Sequence, residues 1–278
     1  MKWIESEIYL KLKEEAQKYG IHITQTQLLL AQERFLSRLM SLDEGKYFVW
    51  KGGSLILRKY SSLDKPRFTI DIDLLTKGLA IKETEAVFLK AINIDLKDGF
   101  KFYDISKNNM LRETPYGGER YEIKWSFFGR PNPQLLRIDV CTGDDVVEEL
   151  IKLNNVLILK DPGKLSIKIY PAEFIFAEKI ETVVRFKTGN TRLKDFIDLW
   201  QLSKILKDKT KLINAVTKCF KNRKTEFNLK EFESILSDND FMELLENQRI
   251  NKYGNLKIPS VKEIFKDILG TVLGLKQV

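Results

Sequence analysis

The spacing of hydrophobic positions predicts a mixture of helices and strands in the first 170 residues. Apolar residues three and four apart indicate amphipathic helices, whereas strict alternation indicates strands with one buried face. The predicted helices are residues 3–19, 25–43, 54–60 and 81–96, with Gly20 ending the first and Thr24 or Thr26 capping the second. The predicted strands are residues 47–50, 68–75, 100–105, 119–128 and 134–142, with shorter strand-like runs at 156–159 and 165–170.

The spacing of hydrophobic positions changes in the later part of the chain. Residues 129–133 form a turn cluster that joins the strands on either side into a predicted hairpin. After Pro171 the spacing is helical to the end of the chain. The pattern therefore predicts an α+β fold: residues 1–170 form a mixed sheet with flanking helices, and residues 171–278 form an all-helical domain.

Composition narrows the possible functions. The chain has 278 residues, is 43% hydrophobic and 31% charged, and contains no apolar run long enough to span a membrane. Two cysteines and one histidine argue against a disulfide framework, a zinc site or a His-based catalytic triad, and favour a cytoplasmic location. The net charge of +8 permits binding to a polyanion but does not demand it.

Carboxylates occur inside two of the predicted strands. Asp71 and Asp73 alternate with Ile70, Ile72 and Leu74, so both acids point to one face, with Cα atoms roughly 6.6 Å apart. Such a pair suits Mg²⁺, which prefers hard oxygen ligands and is often completed by substrate phosphates; Mn²⁺ is an alternative. An edge strand with a solvated acidic face would show the same pattern.

A third aspartate lies in the returning strand of the predicted hairpin. Asp139 stands between apolar neighbours and needs a partner if it is buried. Three aspartates on neighbouring strands are typical of metal-assisted phosphoryl transfer, in which cations neutralise the attacking and leaving oxygens.

A glycine pair precedes the acidic strand. Gly52, Gly53 and Ser54 follow one strand and open a helix, an arrangement in which backbone N–H groups can approach a phosphate. The Ser54 hydroxyl is expected either to donate to a ligand or to cap the helix. Neither the Walker A pattern nor G-x-G-x-x-G is present. The loop and the aspartates together predict a site for a nucleoside triphosphate.

These segments resemble one family. K-G-G-S-x-L followed by R-F-T-x-D-I-D-L resembles the AbiEii-type nucleotidyltransferases, the toxin components of bacterial toxin–antitoxin and phage-defence systems, within the DNA polymerase β-like superfamily. The segment around Lys179 and the K-D-x-x-D-L segment with Asp195 and Asp198 match in order, so the resemblance spans roughly residues 48 to 200.

The resemblance implies roles for these residues. Asp71, Asp73 and Asp139 would hold the metal, and Gly52, Gly53 and Ser54 would bind the phosphates. Lys179 and Asp198 would take part in catalysis, and Lys179 and Asp195 would contact the nucleotide. The helical domain would complete the nucleotide site.

The residues themselves leave a second interpretation of the helical half open. The helix that carries Asp195 and Asp198 is apolar nearly all round and should be buried, so its carboxylates need partners. Lys179 or Arg185 on the preceding helix could supply one, and a purely structural ion pair between the two helices would look the same.

The family resemblance implies a toxin that transfers nucleotides from an NTP to an RNA acceptor, with the tRNA 3′ end as the best candidate, and that is neutralised by an antitoxin. Two alternatives stay open. The acceptor could be a protein hydroxyl or a small molecule, or the chain could be a binding module that keeps the fold without catalysis.

Overall fold

The structure is a computed structural model that describes residues 7–61, 67–109, 117–128, 134–143, 146, 149–153, 165–254 and 256–277. The described residues divide into two compact units. The first is drawn from Met1–Arg58, Phe68–Gly143 and Glu148–Ile169, and the second from Lys59–Arg67, Asp144–Val147 and Tyr170–Val278. The predicted division at residue 170 was drawn as a single cut, whereas two short earlier segments group with the second unit.

The first unit is built on a mixed sheet. Its described strands are β1 (Phe48–Lys51), β2 (Asp71–Thr76), β3 (Phe100–Asn109), β4 (Gly118–Phe127), β5 (Gln134–Thr142), β6 (Glu149–Leu153) and β7 (Leu165–Ile169). They lie in the order β3-β4-β5-β2-β1-β7-β6. The pairs β2–β5 and β1–β7 are parallel and the remaining neighbours are antiparallel. The predicted hairpin is confirmed as β4–β5, while the predicted run at 156–159 lies outside the described residues.

Helices of the first unit are α1 (Glu7–Tyr19), α2 (Ile23–Met40), α3 (Gly52–Leu55, continued by a π-helical turn, Ile56–Tyr60) and α4 (Thr84–Ile92). The prediction that Thr24 or Thr26 caps α2 was wrong. His22 is the N-cap, and its ring accepts from the Thr24 N–H. Thr26 lies inside the helix, where its buried hydroxyl donates to the carbonyl of Leu12 on α1.

Aromatic side chains join α2 and α4 to the sheet. Phe35 of α2 and Phe88 of α4 meet edge to face with ring centroids 5.2 Å apart. Phe88 also contacts Phe48 of β1 at 5.6 Å and Tyr121 of β4 at 5.0 Å. All four rings are fully buried. Because side chains alternate along each strand, the residues between these rings point to the opposite face of the sheet.

The second unit is helical, with α5 (Ala172–Phe186), α6 (Leu193–Ser203), α7 (Lys209–Arg223), α8 (Leu229–Ser237), α9 (Asn239–Tyr253) and α10 (Val261–Leu273). Side-chain caps begin several of them; Asp208, Asn228, Asp238 and Ser260 accept backbone N–H groups of the first turn. The predicted α+β class, with a mixed sheet followed by a helical region, is confirmed. No helix in the described ranges is long and apolar enough to cross a membrane.

Candidate active site

The carboxylate pair lies on β2 with the predicted alternation. Asp71 and Asp73 are partly exposed, whereas Ile72 and Leu74 between and beyond them are fully buried. Ile70 departs from the prediction, because it precedes the strand and is 41% exposed. The strand therefore presents two acids on one face while its other face is anchored in the core.

Four charged residues align across the sheet. Asp73 is the register partner of Lys51 on β1 and of Asp139 on β5, and Asp139 is the register partner of Arg120 on β4. We call this line, Lys51–Asp73–Asp139–Arg120, the charged row. It brings two predicted acids onto adjacent strands, with Asp71 two residues along β2 on the same face, and it places a cation at each end.

Arg120 binds Asp139 through two parallel hydrogen bonds. Its Nε donates to Asp139 Oδ1 and its Nη2 to Oδ2, both at 2.7 Å. Hydrogen bonding to Asp139 raises the pKa of Arg120 against an opposing effect of burial, and the charges of Asp71 and Asp73 add to the increase. Arg120 was not among the residues predicted from the sequence. The predicted hairpin was the available signal, since it places β4 beside the strand that carries Asp139.

The glycine turn touches the acidic strand directly. Gly52 follows β1 with φ +71, a conformation that favours glycine. A Cβ at this position would lie 1.9 Å from Asp73 Oδ2 and 2.5 Å from its Cγ. The absence of a side chain at Gly52 is therefore what leaves room for the Asp73 carboxylate. Gly53 is partly exposed beside it, at the start of α3.

Ser54 packs beneath the glycine turn. It is the third residue of α3 and is fully buried, so its hydroxyl neither caps the helix nor reaches solvent. Instead, its Oγ accepts from Trp50 Nε1 at 2.8 Å. Ser54 is therefore not the helix cap, whereas its predicted contact with a ligand stays a prediction.

A buried arginine supports both the turn and the acidic strand. Arg58 donates to the Ser54 carbonyl at 3.0 Å, to Glu33 Oε1 at 2.9 Å and to Gln32 Oε1 at 3.0 Å. Gln32 in turn donates to the carbonyl of Thr69, just before β2, at 3.5 Å. Helix α2 carries both acceptor side chains. It therefore positions the glycine turn through Arg58 and the backbone before Asp71 through Gln32.

The donor set fits a magnesium ion held mainly by two carboxylates. Asp71 and Asp73 offer hard oxygens on one face, and substrate phosphates would complete the usual coordination of Mg²⁺. In the described part of the chain, no group of three or more His, Cys, Asp or Glu side chains is arranged to hold a metal ion. Asp139 lies beside Asp73, and both of its carboxylate oxygens accept hydrogen bonds from Arg120; its role as a metal ligand stays a prediction.

A second cluster of charges lies within the helical unit. Lys179 of α5 approaches Asp195 Oδ1 at 2.7 Å and Asp198 Oδ2 at 3.0 Å, both on α6. Arg67 bonds the same Asp198 through Nε at 2.8 Å and Nη2 at 2.9 Å. We call these four residues the buried cluster. Of the two predicted partners, Lys179 is confirmed, whereas Arg185 contacts Glu181 at 3.3 Å; the part played by Arg67 was missed.

The charges of the buried cluster stabilise one another. Burial alone would lower the pKa of Lys179, but Asp195 and Asp198 outweigh it and raise the pKa. Burial would likewise raise the pKa of Asp195, but Lys179 and then Arg192 outweigh it, so this pKa is lowered. A lysine with a raised pKa is a poor proton acceptor at neutral pH, so Lys179 can provide positive charge but not general-base catalysis.

Comparisons with known proteins identify the family and the fold. The family model described as nucleotidyl transferase AbiEii toxin, type IV TA system, matches residues 34–266. JHP933 from Helicobacter pylori shares the fold with a TM-score of 0.51 at 18% identity, over 90% of this chain and 92% of that one. A candidate nucleotidyltransferase from H. pylori gives the same score and identity, over 90% and 93%. The search of curated proteins found no match.

Proposed function

Because the chain belongs to the AbiEii family of nucleotidyltransferase toxins, we propose that it transfers nucleotides from an NTP to an RNA acceptor, the 3′ end of tRNA. Family membership makes the chain a nucleotidyltransferase of a toxin–antitoxin system, with an NTP as substrate and an antitoxin as partner. The choice of acceptor, the metal and the residue roles are our proposal.

The contact between the glycine turn and the acidic strand is the observation that carries the proposal. The space above Gly52 that a Cβ would fill contains the Asp73 carboxylate. A phosphate drawn to the backbone of this turn would therefore lie close to the acids. Helix propensity or core packing alone would not require a positive φ and a carboxylate at the same place.

Each group of residues in the site has a distinct proposed role. Asp71 and Asp73 would hold Mg²⁺, which would neutralise charge on the triphosphate and on the attacking and leaving oxygens. Gly52 and Gly53 let the backbone approach the phosphates. Asp139 completes the acidic face under the control of its arginine partner. The catalytic roles of Lys179 and Asp198 and the nucleotide contacts of Lys179 and Asp195 stay predictions, which activity and stability measurements on variants can test.

The net charge of +8 favours an RNA acceptor over a small neutral one, because phosphate neutralisation by Lys and Arg supplies much of the affinity for RNA. Labelling of RNA should therefore weaken steeply as salt is added. Transfer that is insensitive to salt would favour a small-molecule or protein acceptor.

The test is incubation of the purified chain with Mg²⁺, total tRNA and each α-labelled NTP in turn. The Asp71→Asn variant removes a proposed metal ligand, and Asp104→Asn is its control, since Asp104 is an exposed acid that pairs with Lys124. Label on tRNA with the native chain and Asp104→Asn, but not with Asp71→Asn, is the expected result. No label with any NTP, from protein shown to bind NTP and Mg²⁺, would refute the tRNA acceptor.

A further inference from the structure

The two cations of the charged row differ in their freedom to move. Lys51 is 8% exposed, and its Nζ lies 3.7 Å from the Cys141 thiol. The side chain of Arg120 is 34% exposed and that of Asp139 is 17% exposed. Withdrawing an exposed guanidinium into water costs little compared with breaking a buried pair. Arg120 is therefore the cation of the row that can leave its partner.

The position of Arg120 conflicts with a divalent cation bound to all three acids. Its guanidinium lies on both oxygens of Asp139, the register neighbour of Asp73. Each carboxylate oxygen keeps a second lone pair, so the obstacle is not the number of acceptors. The obstacle is the electrostatic repulsion between a guanidinium and a divalent cation that lie a few ångströms apart at a partly exposed site.

We propose that Arg120 is a positioning residue that holds Asp139 as a counter-ion and competes with the divalent cation for this carboxylate. The inference rests on the proposed function, because it takes Asp71 and Asp73 as the metal ligands. Asp139 joins the metal site only when Arg120 withdraws. The competition sets the affinity for the cation before any nucleotide is bound.

Binding of Mn²⁺ to the nucleotide-free chain, followed by electron paramagnetic resonance of the free ion, tests the competition without relying on activity. Arg120→Gln should tighten Mn²⁺ binding by about tenfold, because Asp139 then becomes available as a further ligand of the ion. Lys124→Gln is the matched control. It lies four residues along β4 on the same face, about 13 Å away and beyond the screening length at moderate salt.

A double-mutant cycle separates local competition from a general effect of charge. In an Asp139→Asn background, Arg120→Gln should tighten binding far less, because the contested carboxylate is absent and only the weaker attraction of Arg120 to Asp71 and Asp73 is lost. Tightening of the same size in this background, or in Lys124→Gln, would overturn the proposal. Arg120→Lys keeps the charge but loses the fork, so it should tighten binding by a smaller factor; unchanged affinity would count against the proposal.

The outcomes also distinguish this inference from the proposed function. Mn²⁺ binding that Asp71→Asn abolishes but Arg120→Gln leaves unchanged would keep the proposed metal site and refute the role of Arg120. A native chain that binds no Mn²⁺, with no gain in Arg120→Gln, would contradict both. Thermal melting of each variant establishes that the protein measured is folded.

Discussion

The charged row and the buried cluster use the same kind of contact in opposite surroundings. Each contains an arginine that bonds an aspartate through Nε and Nη2. In the charged row, the Arg120 and Asp139 side chains are 34% and 17% exposed. In the buried cluster, those of Arg67 and Asp198 are 7% and 1% exposed. The two arginine–aspartate pairs therefore have similar hydrogen-bond geometry, but separating the buried pair costs more free energy than separating the partly exposed one.

The difference separates a site that can exchange partners from one that cannot. Near solvent, a carboxylate can exchange an arginine for a metal or a ligand, because water screens the charges while they are separated. In the interior, removing one partner leaves an uncompensated charge, which is strongly destabilising. Any contact between Lys179 and a triphosphate must therefore be made while it stays paired with Asp195 and Asp198.

Asp71→Asn should have the largest effect, and it should fall on activity. Loss of a metal-binding carboxylate is expected to reduce nucleotidyl transfer by about 10³-fold, or about 4 kcal/mol of transition-state stabilisation. The free energy of unfolding should change by less than about 1 kcal/mol, because Asp71 is partly exposed and its loss removes both repulsion with Asp73 and attraction to Arg120. Transfer assays beside urea unfolding measure both quantities. Destabilisation with activity preserved would remove the distinction between the two clusters.

Lys179→Met should produce the converse result. It leaves Asp195 and Asp198 buried with one cation fewer, and should lower the free energy of unfolding by about 3 kcal/mol. Lys187→Met is the matched control, because Lys187 pairs with Glu231 at 2.7 Å on the surface, and it should cost less than about 1 kcal/mol. Equal midpoints in urea for the two variants would show that burial does not set the cost.

Gly52→Ala tests the contact that joins the glycine turn to the acid. The new methyl group must displace the Asp73 carboxylate, and a shift of about 1 Å is expected to reduce transfer by about 10²-fold. Gly78→Ala is the control, because Gly78 also has a positive φ, +82, but its Cβ would meet nothing closer than Tyr47 at 3.4 Å. If both variants lose activity equally, backbone strain rather than the acid explains the effect.

Local patterns predicted that the acids of β2 share one face and that a glycine turn precedes them, but not the register of the charged row. Asp71 and Asp73 follow from alternation within one strand, and Gly52 from its place between a strand and a helix. Arg120 depends on which residue of β4 faces Asp139. Because the turn cluster at 129–133 is longer than a tight two-residue turn, the sequence does not determine that pairing.

The buried cluster was predicted only in part, for the same reason of distance along the chain. Lys179 and Asp195 lie on consecutive helices, so their pairing follows from simple packing. Arg67 is separated from Asp198 by 131 positions and belongs to a short segment ahead of the acidic strand. The capping role of Ser54 was wrong because the sequence does not show that Trp50 takes its hydroxyl as an acceptor inside the core.

Acid titration should reveal the smallest contrast between buried and exposed acids. The pKa of Asp195 is lowered, since Lys179 and Arg192 outweigh the opposing effect of burial. A carboxylate with a lowered pKa contributes stability that is complete above its ordinary pKa of about 3.9 and is lost as the pH falls further. The native free energy of unfolding should therefore fall more steeply from about pH 5 to about pH 3 than that of Asp195→Asn.

Glu246→Gln supplies the exposed counterpart of this measurement. A hydrogen bond from Arg249 lowers the pKa of Glu246 despite slight desolvation, but its side chain is 31% exposed. Water screens this pair, so Glu246→Gln should leave the acid slope close to that of the native chain. If Asp195→Asn and Glu246→Gln flatten the slope equally, the buried cluster behaves electrostatically as a surface pair. Lys179 would then be as free as Arg120 to exchange its partners for a ligand.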